Sequence, residues 1–143
     1  NLKLDIHACK SNIMINKNTF GLIDSQDAII GNPLYDVVSL IDDVRIKLPA
    51  NLQNKLLKFY HQKSKLKSEK FLNLKNDYDI LSVQRNLKIL GIFVRLSKRD
   101  NKSTYLKYLP HTWNLINRRL KNPIFKNFQL LLKKHVKIKD LKK

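Results

Sequence analysis

Residues 71–99 constrain this chain more than any other stretch. From Phe71 to Arg99 the apolar residues recur at helical spacing. Ile80, Val83, Leu87, Leu90 and Val94 fall on one side, and Leu81, Ile89, Phe93 and Leu96 on another. A helix that is apolar around so much of its circumference is one that a domain buries at its centre. Gly91 lies in its middle, where glycine costs about 1 kcal/mol of helix propensity, so close packing against a neighbour is expected there.

Around that helix the pattern reads as further helices with one β-hairpin in front. Asn12-Ile13-Met14-Ile15 and Phe20-Gly21-Leu22-Ile23 are short apolar runs, and Asn16-Lys17-Asn18 between them is turn chemistry. A loop carrying Ser25, Gln26, Asp27 and Gly31 follows. Asn32 is a good helix cap and Pro33 suits a first helical position, which predicts a helix whose apolar stripe is Leu34, Val37, Val38 and Ile41, with Asp42 and Asp43 on its other side. A second helix is expected from about Ala50 to His61, with Leu52, Leu56, Leu57 and Tyr60 on one face. Residues 62–70 read as a polar connection and residues 99–102 as a turn. Short helices near 103–108, 110–120 and 123–135 complete the body, and residues 137–143 form a basic tail. The expected fold class is α-rich (α+β), a small β-hairpin packed on a helical bundle, in one domain over residues 1–143.

Composition narrows the class. An apolar share of 43% is too high for a disordered chain, and no apolar run approaches the ~20 residues that a bilayer crossing needs. No signal peptide is read, and the single cysteine, Cys9, excludes an internal disulfide and a cysteine-built zinc site. A cytoplasmic protein with no membrane partner is expected. The chain opens at Asn1 and its one methionine, Met14, lies inside an apolar run, which suggests a piece of a longer protein. The net charge of +18 fits either a nucleic-acid binder or a lysine-rich composition. Lys far outnumbers Arg and is spread along the chain, which favours composition and makes nucleic acid an unlikely partner.

Three polar residues near the start suggest chemistry. Asp5 precedes the hairpin, Asn12 opens its first strand and Asp24 ends its second. A hairpin brings the start of one strand beside the end of the next, so an amide oxygen and a carboxylate converge on a hard-oxygen site suited to Mg²⁺. A second carboxylate before them could take a proton from an attacking hydroxyl, as phosphoryl transfer requires. The same residues are also ordinary turn formers at strand ends.

The segment Gly-Leu-Ile-Asp-Ser-Gln-Asp-Ala-Ile-Ile-Gly-Asn-Pro-Leu-Tyr-Asp-Val-Val-Ser-Leu-Ile-Asp-Asp, residues 21–43, resembles the metal-binding segment of aminoglycoside-phosphotransferase-like kinases. There a hydrophobic strand and an Asp precede a Gly-x-Pro-x-Tyr-Asp helix start. Tyr78-Asp79, Gln84 to Phe93, Arg95-Leu96, Lys98 to Asp100, Tyr105-Leu106 and Leu109-Pro110 are similar to one subgroup, the bacterial kinases that phosphorylate the anomeric position of N-acetylmuramate and N-acetylglucosamine.

The resemblance implies the C-terminal lobe of a protein-kinase-like fold, using ATP and Mg²⁺ on an amino sugar of cell-wall recycling. It implies Asp5 as the catalytic base, Asn12 and Asp24 as metal ligands, and Gln26 and Asp27 on the substrate side. His7 and Asp36 would be structural supports. Three positions depart from the family pattern: Leu4 replaces the usual Arg, Asp5 to Asn12 spans seven residues where five is usual, and Ser25 replaces an aromatic. They raise a second reading, a catalytically inactive pseudokinase remnant. Neither a Gly-rich phosphate-covering loop nor an N-terminal-lobe lysine is recognisable, so the N-terminal lobe is expected to be a missing partner. This chain alone is expected to bind ATP weakly and transfer nothing.

Overall fold

The computed structural model describes residues 3–5, 13–17, 19–23 and 29–135. Four short strands come first: β1 (Lys3–Asp5), β2 (Ile13–Asn16), β3 (Thr19–Leu22) and β4 (Ile29–Gly31). Helices follow: α1 (Leu34–Ile41), α2 (Ala50–Lys63), α3 (Phe71–Asp100), α4 (Leu109–Arg119) and α5 (Lys126–His135), with 3-10 turns at Lys65–Ser68, Ser103–Tyr108 and Pro123–Phe125. The chain is α-rich, as expected. By contact density it divides into two units, Asn1–Leu81 and Ser82–Lys143, and α3 contributes residues to each. The basic tail lies outside the described residues. No helix among them is long and apolar enough to cross a membrane.

The expected hairpin is present. β2 and β3 pair antiparallel, from Ile13↔Leu22 to Asn16↔Thr19. Lys17 turns the chain with φ 47°, and the Thr19 hydroxyl donates to the Asn16 carbonyl at 3.0 Å. A second ladder was not expected. Ile29–Gly31, read from sequence as the end of a loop, is a strand antiparallel to β1, with Lys3↔Gly31, Leu4↔Ile30 and Asp5↔Ile29. Its partner is far away in sequence, so no local periodicity could announce it.

In the first unit, Asn32 caps α1 through its side-chain oxygen, which accepts the Leu34 N–H at 2.9 Å. Leu34, Val38 and Ile41 of α1 are buried with Leu57 of α2 and with Leu74 and Tyr78 of α3. The Tyr60 hydroxyl donates to the Pro33 carbonyl at 3.4 Å, and Gln53, buried on α2, donates to the Ile41 carbonyl at 3.4 Å. Two expectations are corrected here. Leu52 is exposed, and Gln53 takes a place in the buried face because it closes the last turn of α1. Asp42 and Asp43 lie just past the end of α1 and are buried, at 0% and 2% exposure. Arg45 answers Asp43 from both its guanidinium, at 3.1 Å, and its backbone N–H, at 2.9 Å, so that carboxylate is buried with its partners.

In the second unit, Val83 of α3 packs with Trp113 and Ile116 of α4, Leu120, and Phe125. Phe93 stacks on Tyr105 with ring centres 5.5 Å apart and meets Tyr108 at 5.9 Å. Asn101 ends α3 in the left-handed region, φ 55°, and the Lys102 N–H reaches back to the Leu96 carbonyl at 3.0 Å.

The central helix is less enclosed than its sequence suggests. Ile80 and Val94 are exposed, while Asp79, Ser82 and Asn86 are buried polar residues on the same helix. Lys75 pairs with Asp79 at 2.6 Å, and the Asn86 amide donates to the Ser82 hydroxyl at 3.3 Å. Gly91 corrects the close-packing expectation, because a Cβ built there would meet nothing within 4 Å. Gly91→Ala therefore adds helix propensity without a clash. It is expected to raise unfolding free energy by about 0.5–1 kcal/mol, read as a higher urea midpoint with an unchanged slope. A lower midpoint would mean that something fills the space beside Gly91.

Candidate active site

The site is built from how the two ladders are joined. The chain leaves β1 after Asp5, crosses through residues 6–12 and enters β2 at Ile13. It returns from Leu22 through residues 23–28 to Ile29 of β4. Because β1 pairs with β4 and β2 with β3, both connections run between the same two ladders. The residues that bound them are themselves partners: Asp5 faces Ile29 at one end, and Ile13 faces Leu22 at the other. Antiparallel partners have Cα atoms about 4.5–5.5 Å apart. The two connections are thus tied together at both of their ends.

The sequence-derived site residues fall on β1, on the two connections and on α1. Asp5 is the last residue of β1. His7 and Asn12 belong to the first connection, and Asp24, Ser25, Gln26 and Asp27 to the second; all six lie outside the described residues. Asp36 is half-buried in the first turn of α1, three residues past the Pro33 that follows the capping Asn32. Sequence reasoning missed β4, which anchors the second connection. The only sequence signal was the Ile29-Ile30 pair, too short to separate from a loop.

Asn12 and Asp24 offer an amide oxygen and a carboxylate, one from each connection. That hard-oxygen donor set fits Mg²⁺ in kind, since Mg²⁺ takes one or two protein carboxylates together with substrate phosphates. Among the described residues no three His, Cys, Asp or Glu side chains group so as to hold a metal.

Residues 8–72, which contain both metal-ligand candidates and all of α1 and α2, match the phosphotransferase enzyme family. This stretch is phosphotransferase-family sequence. The chain is also 33% identical over 111 residues to an N-acetylmuramate/N-acetylglucosamine kinase of Neisseria meningitidis serogroup B, covering 75% of this chain and 33% of that enzyme. A kinase of the same name from Pseudomonas aeruginosa is 33% identical over 103 residues, 69% of this chain and 30% of the enzyme. One from Caulobacter vibrioides is 31% identical over 94 residues, 65% of this chain and 25% of the enzyme. The chain spans about a third of the length of the relatives it matches. The aligned lengths exceed the phosphotransferase segment, so the similarity reaches beyond α2 into the long helix.

Proposed function

We propose that this chain is the C-terminal lobe of an ATP- and Mg²⁺-dependent phosphotransferase that acts on a hydroxyl of an amino sugar, with N-acetylmuramate or N-acetylglucosamine as acceptor. The observation that carries this reading is the joining of the two connections at paired residues, with Asp5 at one entrance and Asn12 and Asp24 on opposite connections. The names of the relatives supply the acceptor class.

In this reading Asp5 accepts the proton of the sugar hydroxyl as the hydroxyl oxygen attacks the terminal phosphorus of ATP, whose bond to the bridging oxygen breaks to release ADP. Its backbone is held in the β1–β4 ladder, which fixes where the carboxylate starts. Asn12 and Asp24 hold Mg²⁺, whose charge neutralises the phosphate being transferred. Gln26 and Asp27, on the same connection as Asp24, face the substrate side, and His7 steadies the first connection. Asp36 braces the second connection from the first turn of α1. The N-terminal lobe supplies the rest of the nucleotide site, so the activity belongs to the longer protein, in the cytoplasm.

The test is sugar-dependent release of ADP by the protein isolated from its source cells, with Mg²⁺ and each sugar in turn. Release with either sugar supports the assignment. No release with any amino sugar, from protein that is folded and binds ATP, would overturn it. The seven-residue step from Asp5 to Asn12 then favours the inactive relative, because misplacing a catalytic group by about 1 Å costs on the order of 100-fold.

A further inference from the structure

The second unit holds a pocket that the phosphotransferase reading does not use, since every residue given a role there precedes Leu40 in sequence. The pocket lies between α4 and α5, with a volume of about 220 Å³. Its floor is the outer side of the second core, formed by Trp113, Leu120 and Leu132. Gln129 also lines it and donates from its side-chain amide to the Leu120 carbonyl, which ties α5 to the end of α4. Asn117 and the exposed Lys121 and Lys133 complete the lining, and no carboxylate among the described residues contributes.

The charge around this pocket is one-sided. Between Asp100 and Asp140 the sequence has no Asp or Glu at all. Asp100 itself is engaged by the guanidinium of Arg99 at 2.7 and 3.0 Å. An anion entering between α4 and α5 therefore meets two ammonium groups and no acid from those helices. Trp113 is 9% exposed, so its indole is a fixed part of the pocket lining.

From these features we propose that the α4–α5 pocket binds a small carboxylate with a compact apolar body. The body lies on Trp113, Leu120 and Leu132, and the carboxylate sits at the mouth with Lys121 and Lys133. Apolar lining with a few polar groups that fix orientation is the usual make-up of a small-molecule site. A neutral molecule of the same shape gains the floor but not the lysines.

Trp113 is the only tryptophan of the chain, so its fluorescence reads this pocket directly. The full chain is titrated with phenylacetate and, separately, with the neutral isostere phenylacetamide. A saturable change with phenylacetate is expected, with phenylacetamide binding about five- to tenfold more weakly, the effect of about 1–1.4 kcal/mol from charge. Lys121→Gln/Lys133→Gln is expected to abolish that preference while leaving phenylacetamide binding unchanged. No saturable change, equal binding of the two compounds, or an unaltered preference in the double variant would each overturn the proposal. So would a shift of Trp113 emission, without ligand, on deleting residues 136–143, because the groove would then belong to the chain's own end.

Discussion

Asp5→Asn in the complete protein is expected to lower kcat for sugar phosphorylation by about 10²–10⁴-fold, the usual contribution of a positioned general base. The amide keeps the size of the carboxylate and loses only its ability to take a proton. The ladder is unaffected, because the pairing of Asp5 with Ile29 is made by the backbone. The sugar KM is therefore expected to stay near its wild-type value, and thermal stability should be unchanged. Steady-state kinetics on the purified variant check this. A raised KM with kcat intact would show that Asp5 holds the sugar and does not take its proton.

The largest loss of stability is expected from Leu74→Ala. Leu74 is 0% exposed and shares the first core with Leu34, Val38, Leu57 and Tyr78, which joins α1, α2 and the start of α3. Removing its side chain leaves a cavity bounded by three helices, none of which can collapse inward alone. The cost is about 2–5 kcal/mol, a large share of the 5–15 kcal/mol typical of a folded domain. Urea unfolding is expected to show a much lower midpoint with little change of slope. A loss below about 1 kcal/mol would mean that the helices close over the gap, unlike most buried Leu→Ala sites.

Much of this fold is legible in the sequence because it is local. The long helix, expected over 71–99, runs from Phe71 to Asp100, and Asn32 caps α1 through the side chain that marked it as a cap. The 3-10 turn at 103–108 and helices α4 and α5 fall close to their expected ranges. The misread positions have different causes, and only the first of them is non-local. The β1–β4 ladder joins residues whose pairing leaves no trace in either segment's own pattern. Asp43, expected on the outer side of α1, is buried with Arg45 as its partner two residues on. Gly91 suggested close approach, and the structure leaves open space there. For the candidate site, sequence supplied the residue types and the resemblance supplied their roles. The structure added that Asp5, and the two connections carrying Asn12 and Asp24, are bracketed by paired strand residues. The α4–α5 pocket also left a trace in the sequence, the long stretch without acids, but composition alone does not say where such a charge gathers.

The most direct test of the central claim is Mg²⁺-dependent phosphorylation of N-acetylmuramate and N-acetylglucosamine by the wild-type complete protein and by Asp24→Asn, side by side. The account predicts sugar phosphate from the wild type only when Mg²⁺ is present, and loss of nearly all product in the variant although it stays folded. Product formed by Asp24→Asn at the wild-type rate would contradict it.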